Sequence, residues 1–312
     1  MRKLRSVQVL RGLAVTGAIA SHAAGWRHGA AGVDLFFVIS GVIIGKVMQG
    51  RSAGEFMQAR LWRIYPIYWF NLLPLLAVAL AYGIVTPARL ASSLTLWPIW
   101  GSYAHPYLVP GWTLCFEMLF YWLIAAGLYF KRSWGVAPVL LAAILLNALT
   151  AWPLFQFVGN PLVLEFCAGL LILQIPKNRS AGVVAIILAL AIFAFSPALK
   201  VESEHLMDLQ LNLVRVAMWG VPASLAVYAA LCFDGWFGKW ADAPVFIGDA
   251  SYSIYLSHYL VNLVLLIWWP ARIAAMIVVG AAMYLAIERP IVGWRRKSKS
   301  GEQLTVSPAL VS

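Results

Sequence analysis

The sequence predicts an all-α integral membrane protein: a single bundle of about ten transmembrane helices with both termini cytoplasmic. Three observations carry that prediction. Of the 312 residues, 62% are hydrophobic and only 11% charged, against roughly 25% charged in soluble domains, and the mean hydropathy is +0.81. Apolar windows close to the ~20 residues of a helical span recur along the whole chain. Of the 23 Lys and Arg residues, 17 fall on one side of the map those windows define. A disordered chain is excluded because disorder needs low hydrophobicity, and a collagen-like repeat because the 24 glycines have no period of three. Cys115, Cys167 and Cys232 are odd in number and sit in apolar runs without metal-ligand spacing. They read as small buried hydrophobes rather than a disulfide framework, and no metal site is expected.

The first window, residues 7–24, follows a basic start and ends in Ala20-Ser21-His22-Ala23-Ala24, which imitates a signal peptide. Arg11 interrupts its apolar core and a second apolar window follows almost at once, so the segment is expected to be retained as the first span. Further windows lie at 33–48, 65–85, 109–130, 135–152, 159–175, 181–197, 209–232, 250–268 and 270–287, as expected of a polytopic chain. Between the third and fourth, Ser92–Pro110 is aromatic but broken by Pro and Gly, as in Trp97-Pro98-Ile99-Trp100-Gly101, and suits an interfacial or re-entrant outer stretch. The membrane domain is expected over 1–290, followed by a cytoplasmic polar tail over 291–312 that is disordered from Ser298 onward. With the N-terminus inside, Arg27, Arg89, Lys200 and Arg272 are the 4 outer basic residues, while Arg11 and Arg215 lie within spans. The positive-inside bias thus accounts for a net charge of +11 that would point to nucleic acid in a soluble protein, and nucleic acid is not expected as a partner. The same map puts Glu202, Glu204, His205 and Asp208 in an outer loop. No strong internal repeat is present, which weighs against an inverted-repeat transporter.

Inside hydrocarbon an ionisable side chain costs at least ~2.5–3.5 kcal/mol on insertion scales, so each one is a functional candidate. Arg11 and His22 share the first span. Their eleven-residue spacing turns the helix about 20° past three full turns, which puts both on one face about 16 Å apart. They mark two depths of one polar track, Arg11 toward the cytoplasm and His22 toward the outside. The structural alternatives are snorkelling for Arg11 and a satisfied hydrogen bond to a neighbouring helix for His22. Asp34 opens the second span on the same side as His22, where a carboxylate can orient an imidazole and stabilise its protonated form; as a helix-start acid it is also favoured by the dipole. Arg60 and Arg63, at i and i+3 in Arg60-Leu61-Trp62-Arg63, share a helix face, and their forked guanidinium groups suit phosphate. Anchoring to anionic inner-leaflet lipid is the competing reading. Glu117, about two turns into the fourth span, needs a partner at that depth, with Arg11 or His22 available; Glu165 is similar in the sixth. The stretch Gly248 to His258 places small and hydroxylated residues on a helix, most simply a packing seam.

These residues line up with a family. The chain resembles the integral membrane acyltransferases of the acyltransferase-3 type, which modify bacterial surface polysaccharides, over nearly its whole length. Leu10-Arg11-Gly12-Leu13-Ala14 leading to His22 is similar to the family's arginine, ten residues, histidine signature. Gly32 through Gly41 resembles its second-helix motif, Arg60-Leu61-Trp62-Arg63 its arginine-x-x-arginine motif, and Trp112 through Tyr121 its W-x-L-x-x-E-x-x-F-Y stretch. Glu165-Phe166 with Gly169, Ser251 through Leu256 with His258, and Glu288-Arg289-Pro290 resemble weaker later motifs. The resemblance implies a ten-helix domain of the inner (plasma) membrane that O-acetylates a saccharide or glycoconjugate, taking an acyl group, usually acetyl, from cytoplasmic acyl-CoA. Acetyl-CoA would be a donor substrate rather than a resident cofactor. By that carry-over His22 is the catalytic histidine and Arg11 its motif partner, Arg60 and Arg63 engage the CoA phosphates, Glu117 supports the site and Asp34 contributes less directly. A fused periplasmic esterase-like domain, present in some relatives, has no room here, so the chain is expected to act alone or with a separate partner.

The polar map is compatible with that implication, because a phosphate-binding pair at the inner face and a histidine toward the outer face are what a cross-membrane acyl relay requires. As general base, His22 would deprotonate the acceptor hydroxyl as it attacks the thioester; as nucleophile it would carry the acetyl group transiently. Two rival classes remain: a transporter or flippase of a lipid-linked saccharide whose buried charges line a path, and a membrane acyltransferase with a lipid or protein acceptor. CoA binding by Arg60 and Arg63 discriminates against the first, and acceptor identity against the second.

Overall fold

The computed structural model describes residues 3–100, 102–131, 136–150, 152–199 and 206–294. The chain runs through α1 (Arg5–Ala24), α2 (Gly32–Val47), α3 (Ala53–Ala81), α4 (Pro87–Thr95), α5 (Gly111–Tyr129), α6 (Val136–Leu149), α7 (Pro153–Val158), α8 (Val163–Ile172), α9 (Arg179–Ala194), α10 (Leu209–Arg215), α11 (Val221–Cys232), α12 (Asp242–Val264) and α13 (Trp269–Met283). The boundaries follow local chemistry. α1 stops at Gly25, whose φ of 68° is the left-handed C-terminal conformation that glycine adopts without a Cβ penalty. α3 starts with a capping box in which Ser52 accepts from the Glu55 amide and Glu55 accepts from the Ser52 amide. Single π turns at Val216–Gly220 and Tyr284–Glu288 join α10 to α11 and extend α13. π turns gather at functional or strained positions, and here each adjoins or contains a buried charged residue, Arg215 and Glu288.

Among the described residues, six helical stretches are long and apolar enough to cross a membrane: Arg27–Val47, Ala53–Ala81, Gly111–Tyr129, Pro153–Ile172, Leu209–Cys232 and Trp269–Trp294. Pro138–Leu149 and Arg179–Ala194 are apolar but shorter. α1 and α12 are long enough, at 20 and 23 residues, but Gln8, Arg11 and His22 dilute one, and Asp249, four polar side chains from Ser251 to His258 and Asn262 the other. Among the described residues the membrane protein is therefore all-helical apart from one two-residue antiparallel pairing, Ile99↔Tyr103 and Trp100↔Ser102. That pairing and the end of α4, from Ser92 to Thr95, lie in the Ser92–Pro110 stretch, which forms no spanning helix among the described residues. Of the predicted outer-loop acids, Asp208 caps α10 by accepting from the Leu211 amide at 2.9 Å, while Glu202, Glu204 and His205 lie outside the described residues. The last helix runs through residue 290 to Trp294, so the expected tail boundary falls within its final turn, and 295–312 lie outside the described residues.

The distribution of polarity is that of a bilayer protein. Leu73, Leu80, Ile187 and Leu190 point outward, whereas Asp34, Glu165, Arg215, His258 and Glu288 are buried. Small residues bring the site-bearing helices together. A Cβ on Gly248 of α12 would sit 1.9 Å from the Gln8 carbonyl oxygen of α1, and one on Gly12 would sit 2.9 Å from that of Pro244. α1 and α12 consequently pack backbone against backbone, which sets Arg11 beside Ser251 and His22 beside His258.

Candidate functional site

A cavity of about 840 Å³, counting its mouth, is enclosed by α1, α2, α3, α5 and α12; its polar lining is Arg11, Ser40, Arg60, Arg63, Thr113, Glu117, Tyr121, Ser251, Tyr252 and Tyr255. It adjoins a wider vestibule of about 2260 Å³ with which it shares Arg11, Ile43, Arg60 and Arg63, and to which Lys3, Lys46 and Arg51 add positive charge and Asp234 and Asp249 negative. Four of the predicted site residues, Arg11, Arg60, Arg63 and Glu117, are thus brought together around one space.

The two arginines of α3 are not equivalent. Arg63 forms an ion pair with Glu288, whose other carboxylate oxygen accepts from Ser253 Oγ at 2.6 Å. The buried Glu288 therefore neutralises part of the Arg63 charge. Arg60 has no ion pair among the described residues; its guanidinium lies 5.8 Å from the Tyr121 ring centre and its Nε is without a hydrogen-bond partner among them. Of the pair, Arg60 is the one with charge to spare for an anion. Arg11 donates from Nε to Ser251 Oγ at 3.1 Å. Glu117 accepts from the Tyr121 hydroxyl at 2.5 Å and from Ser40 Oγ at 3.3 Å, so its hydrogen-bond partners are neutral hydroxyls rather than the expected Arg11 or His22.

His22 does not line this cavity. It sits in the last turn of α1 with its side chain exposed, its Nδ1 2.9 Å from the Ala18 carbonyl oxygen. A carbonyl only accepts, so Nδ1 carries a proton, and whenever the ring is neutral the lone pair is on Nε2. The ring centre lies 4.9 Å from that of His258. Tyr255, which lines the cavity, lies 5.5 Å from His258 on its other side of the sequence turn, and thus connects the cavity wall to the histidine pair.

Asp34 is placed elsewhere than beside the imidazole. Its two oxygens accept from Arg215 Nε and Nη2, each at 2.9 Å, and both residues are buried. The guanidinium lies 5.6 and 5.7 Å from the ring centres of Trp112 and Trp219, and Glu165 packs against Gly220 close by. Asp34 is half of a bidentate buried pair and does not orient His22. Arg215, Glu288, Tyr121 and Ser40 were missed as partners in the sequence. The first two were visible as ionisable residues within or at the end of spans, whereas nothing in a one-dimensional pattern says which neutral hydroxyl will meet a carboxylate. Among the described residues no group of three His, Cys, Asp or Glu could hold a metal ion.

A helical bundle with a lipid-compatible exterior, buried charges and a polar cavity opening on a basic vestibule defines a multi-pass membrane protein with an internal binding site. The chain belongs to the acyltransferase-3 family of membrane acyltransferases: the family model, described as an acyltransferase domain, matches residues 4–288. Among curated proteins it is similar to the "Exopolysaccharide production protein ExoZ" of Rhizobium meliloti (strain 1021), with 32% identity over 302 residues, covering 85% of this chain and 90% of that protein. No solved structure matches the chain.

Proposed function

We propose that the protein transfers an acyl group, acetyl in the simplest case, from cytoplasmic acyl-CoA to a hydroxyl of a surface polysaccharide. The observation that carries this reading is the junction of vestibule and cavity, where Arg60, without an ion pair among the described residues, lies beside Arg11 and Arg63. A phosphate-rich donor entering from the basic vestibule meets three forked cations there, and its thioester arm extends into the cavity. The polysaccharide acceptor is taken from the family and from the name of the Rhizobium relative.

Ten crossings fit the helices: the six long apolar stretches, the two shorter ones, and α1 and α12. An even number puts both termini on one side, and the positive-inside bias makes that side the cytoplasm of the inner membrane. The vestibule residues Lys3, Lys46, Arg51, Arg60 and Arg63 then face the acyl-CoA pool, and His22, at the opposite end of α1, faces the outer side. In the transfer step His22 Nε2 takes the hydroxyl proton as the acceptor oxygen attacks the thioester carbonyl. A carbon–oxygen bond forms, the carbon–sulfur bond breaks, and CoA leaves as thiolate, which the imidazolium or solvent then protonates. Arg11, held by Ser251, and Glu117, held by Tyr121 and Ser40, fix the donor's polar groups between the two ends of the path.

The test is incubation of the purified protein in nanodiscs with acetyl-labelled acetyl-CoA, wild type beside His22→Ala. Histidine-dependent loss of label from CoA supports the reading, and label retained on the protein identifies His22 as acyl carrier rather than base. Turnover by His22→Ala at the wild-type rate overturns it. Failure to bind acetyl-CoA at all would favour a saccharide transporter.

A further inference from the structure

The proposed mechanism leaves an imidazolium at His22, and a catalytic histidine ordinarily has a partner that accepts a hydrogen bond or supplies negative charge. No carboxylate forms an ion pair with His22 among the described residues. The acid nearest in expectation, Asp34, has both oxygens taken by Arg215. The group in contact with His22 is instead the second ring, His258, at 4.9 Å between centres with an interplanar angle of 54°.

His258 is unusual in its surroundings. It is fully buried on α12, its Nδ1 contacts the Tyr255 carbonyl oxygen, and its Nε2 is buried with no hydrogen-bond partner among the described residues. Because the carbonyl can only accept, Nδ1 bears the proton and Nε2 is a bare lone pair. A buried polar atom left unpartnered costs stability, and an apolar residue at this packing position would avoid that cost. The backbone contact of Gly12 and Gly248 fixes α1 and α12, so neither ring can drift from the other without separating the two helices.

We propose that His258 is the positioning partner of His22, its unprotonated Nε2 accepting a hydrogen bond from the imidazolium that forms when His22 takes the acceptor proton. The inference rests on the reading of His22 as proton acceptor. No proton passes to His258, which stays neutral throughout. A neutral partner suits this place, since a buried carboxylate would need its own counter-charge.

The test compares His258→Phe, which keeps an aromatic ring of similar size but has no lone pair, with His258→Gln, which keeps an acceptor but no ring. Full-length protein in nanodiscs is given acetyl-CoA, and thiol release, KM for acetyl-CoA and thermal unfolding are measured, with His22→Ala alongside. The expected result is a kcat reduced by ~10- to 100-fold in His258→Phe, less than the ~10²- to 10⁴-fold ascribed to the acid–base group itself, with KM within about twofold and Gln recovering a large part of the rate. A Phe variant at the wild-type rate, or Phe and Gln equally impaired, overturns the role of His258 while His22→Ala remains inactive. An active His22→Ala, or no turnover by wild type, overturns the underlying reading instead. Nitrogen NMR of histidine-labelled wild type supplies a check independent of any variant: His258 Nε2 should be unprotonated at neutral pH, and a protonated Nε2 overturns the proposal.

Discussion

Replacing Asp34 by Leu removes the carboxylate that holds, through both oxygens, a guanidinium that is almost completely buried, at 3% side-chain exposure. Two charge-assisted bonds of 2.9 Å are lost, each worth about 1.5–3 kcal/mol, and Arg215 is left beside Trp112 and Trp219, with the carboxylate of Glu165, unbonded among the described residues, as the remaining acid acting on it. Breaking one side of a buried pair costs about 3–5 kcal/mol, whereas replacing both partners by apolar residues is often neutral or stabilising. At 1.4 kcal/mol per tenfold, the single change should lower the folded-to-unfolded ratio by between about a hundredfold and a few thousandfold. The double change Asp34→Leu with Arg215→Leu should recover most of that loss. Unfolding midpoints in detergent, read by size-exclusion after heating, would complete the cycle. Label loss from acetyl-CoA then separates structure from chemistry: the double variant should be folded and retain activity within about tenfold. A single variant as stable as wild type, or a double variant as unstable as the single, refutes the energetic argument. A stable but inactive double variant assigns the Asp34–Arg215 pair to the chemistry.

Three further outcomes follow from the geometry. Gly248→Ala puts a methyl group 1.9 Å from the Gln8 carbonyl oxygen, so α1 and α12 must separate; overpacking of this kind costs about 1–3 kcal/mol, and both the unfolding midpoint and the acyl-transfer rate should fall, whereas an unchanged midpoint would show that the helices shift freely. Arg60→Ala should weaken acetyl-CoA binding by about tenfold or more with little change in stability, measured by calorimetric titration in nanodiscs; unchanged affinity would return this arginine to lipid anchoring. Arg63→Ala should do the reverse, destabilising the fold more than it weakens binding, because it strands the buried Glu288. Equal effects of the two arginine variants on both measurements would contradict the asymmetry between them.

Much of the architecture was legible because a bilayer imposes a simple rule on sequence. Backbone groups must be satisfied within each span, so helices of near-constant length recur as apolar windows, and every predicted window from residue 7 to residue 287 overlaps a helix. The candidate residues were legible for the same reason, since a charge within such a window stands out by its cost. Arg11 and Glu117 were found this way, Arg60 and Arg63 by their i, i+3 spacing just ahead of the third window, and the structure gathers all four around one cavity. Pairing was not legible. Asp34 and His22 lie toward the same end of adjacent helices, yet the carboxylate meets Arg215, 181 positions away, because α2 turns that face toward the π turn between α10 and α11. The seam from Ser251 to His258 looked like packing alone, since its small residues are what close helix contact requires. Composition and periodicity thus determine that the chain is a helical membrane protein and which of its residues are too polar for their depth. Which polar groups meet depends on helix rotation and contact order across hundreds of residues, and only the packed bundle decided that Arg63 would pair with Glu288, Arg60 have no ion pair among the described residues, and His22 be set against a second histidine.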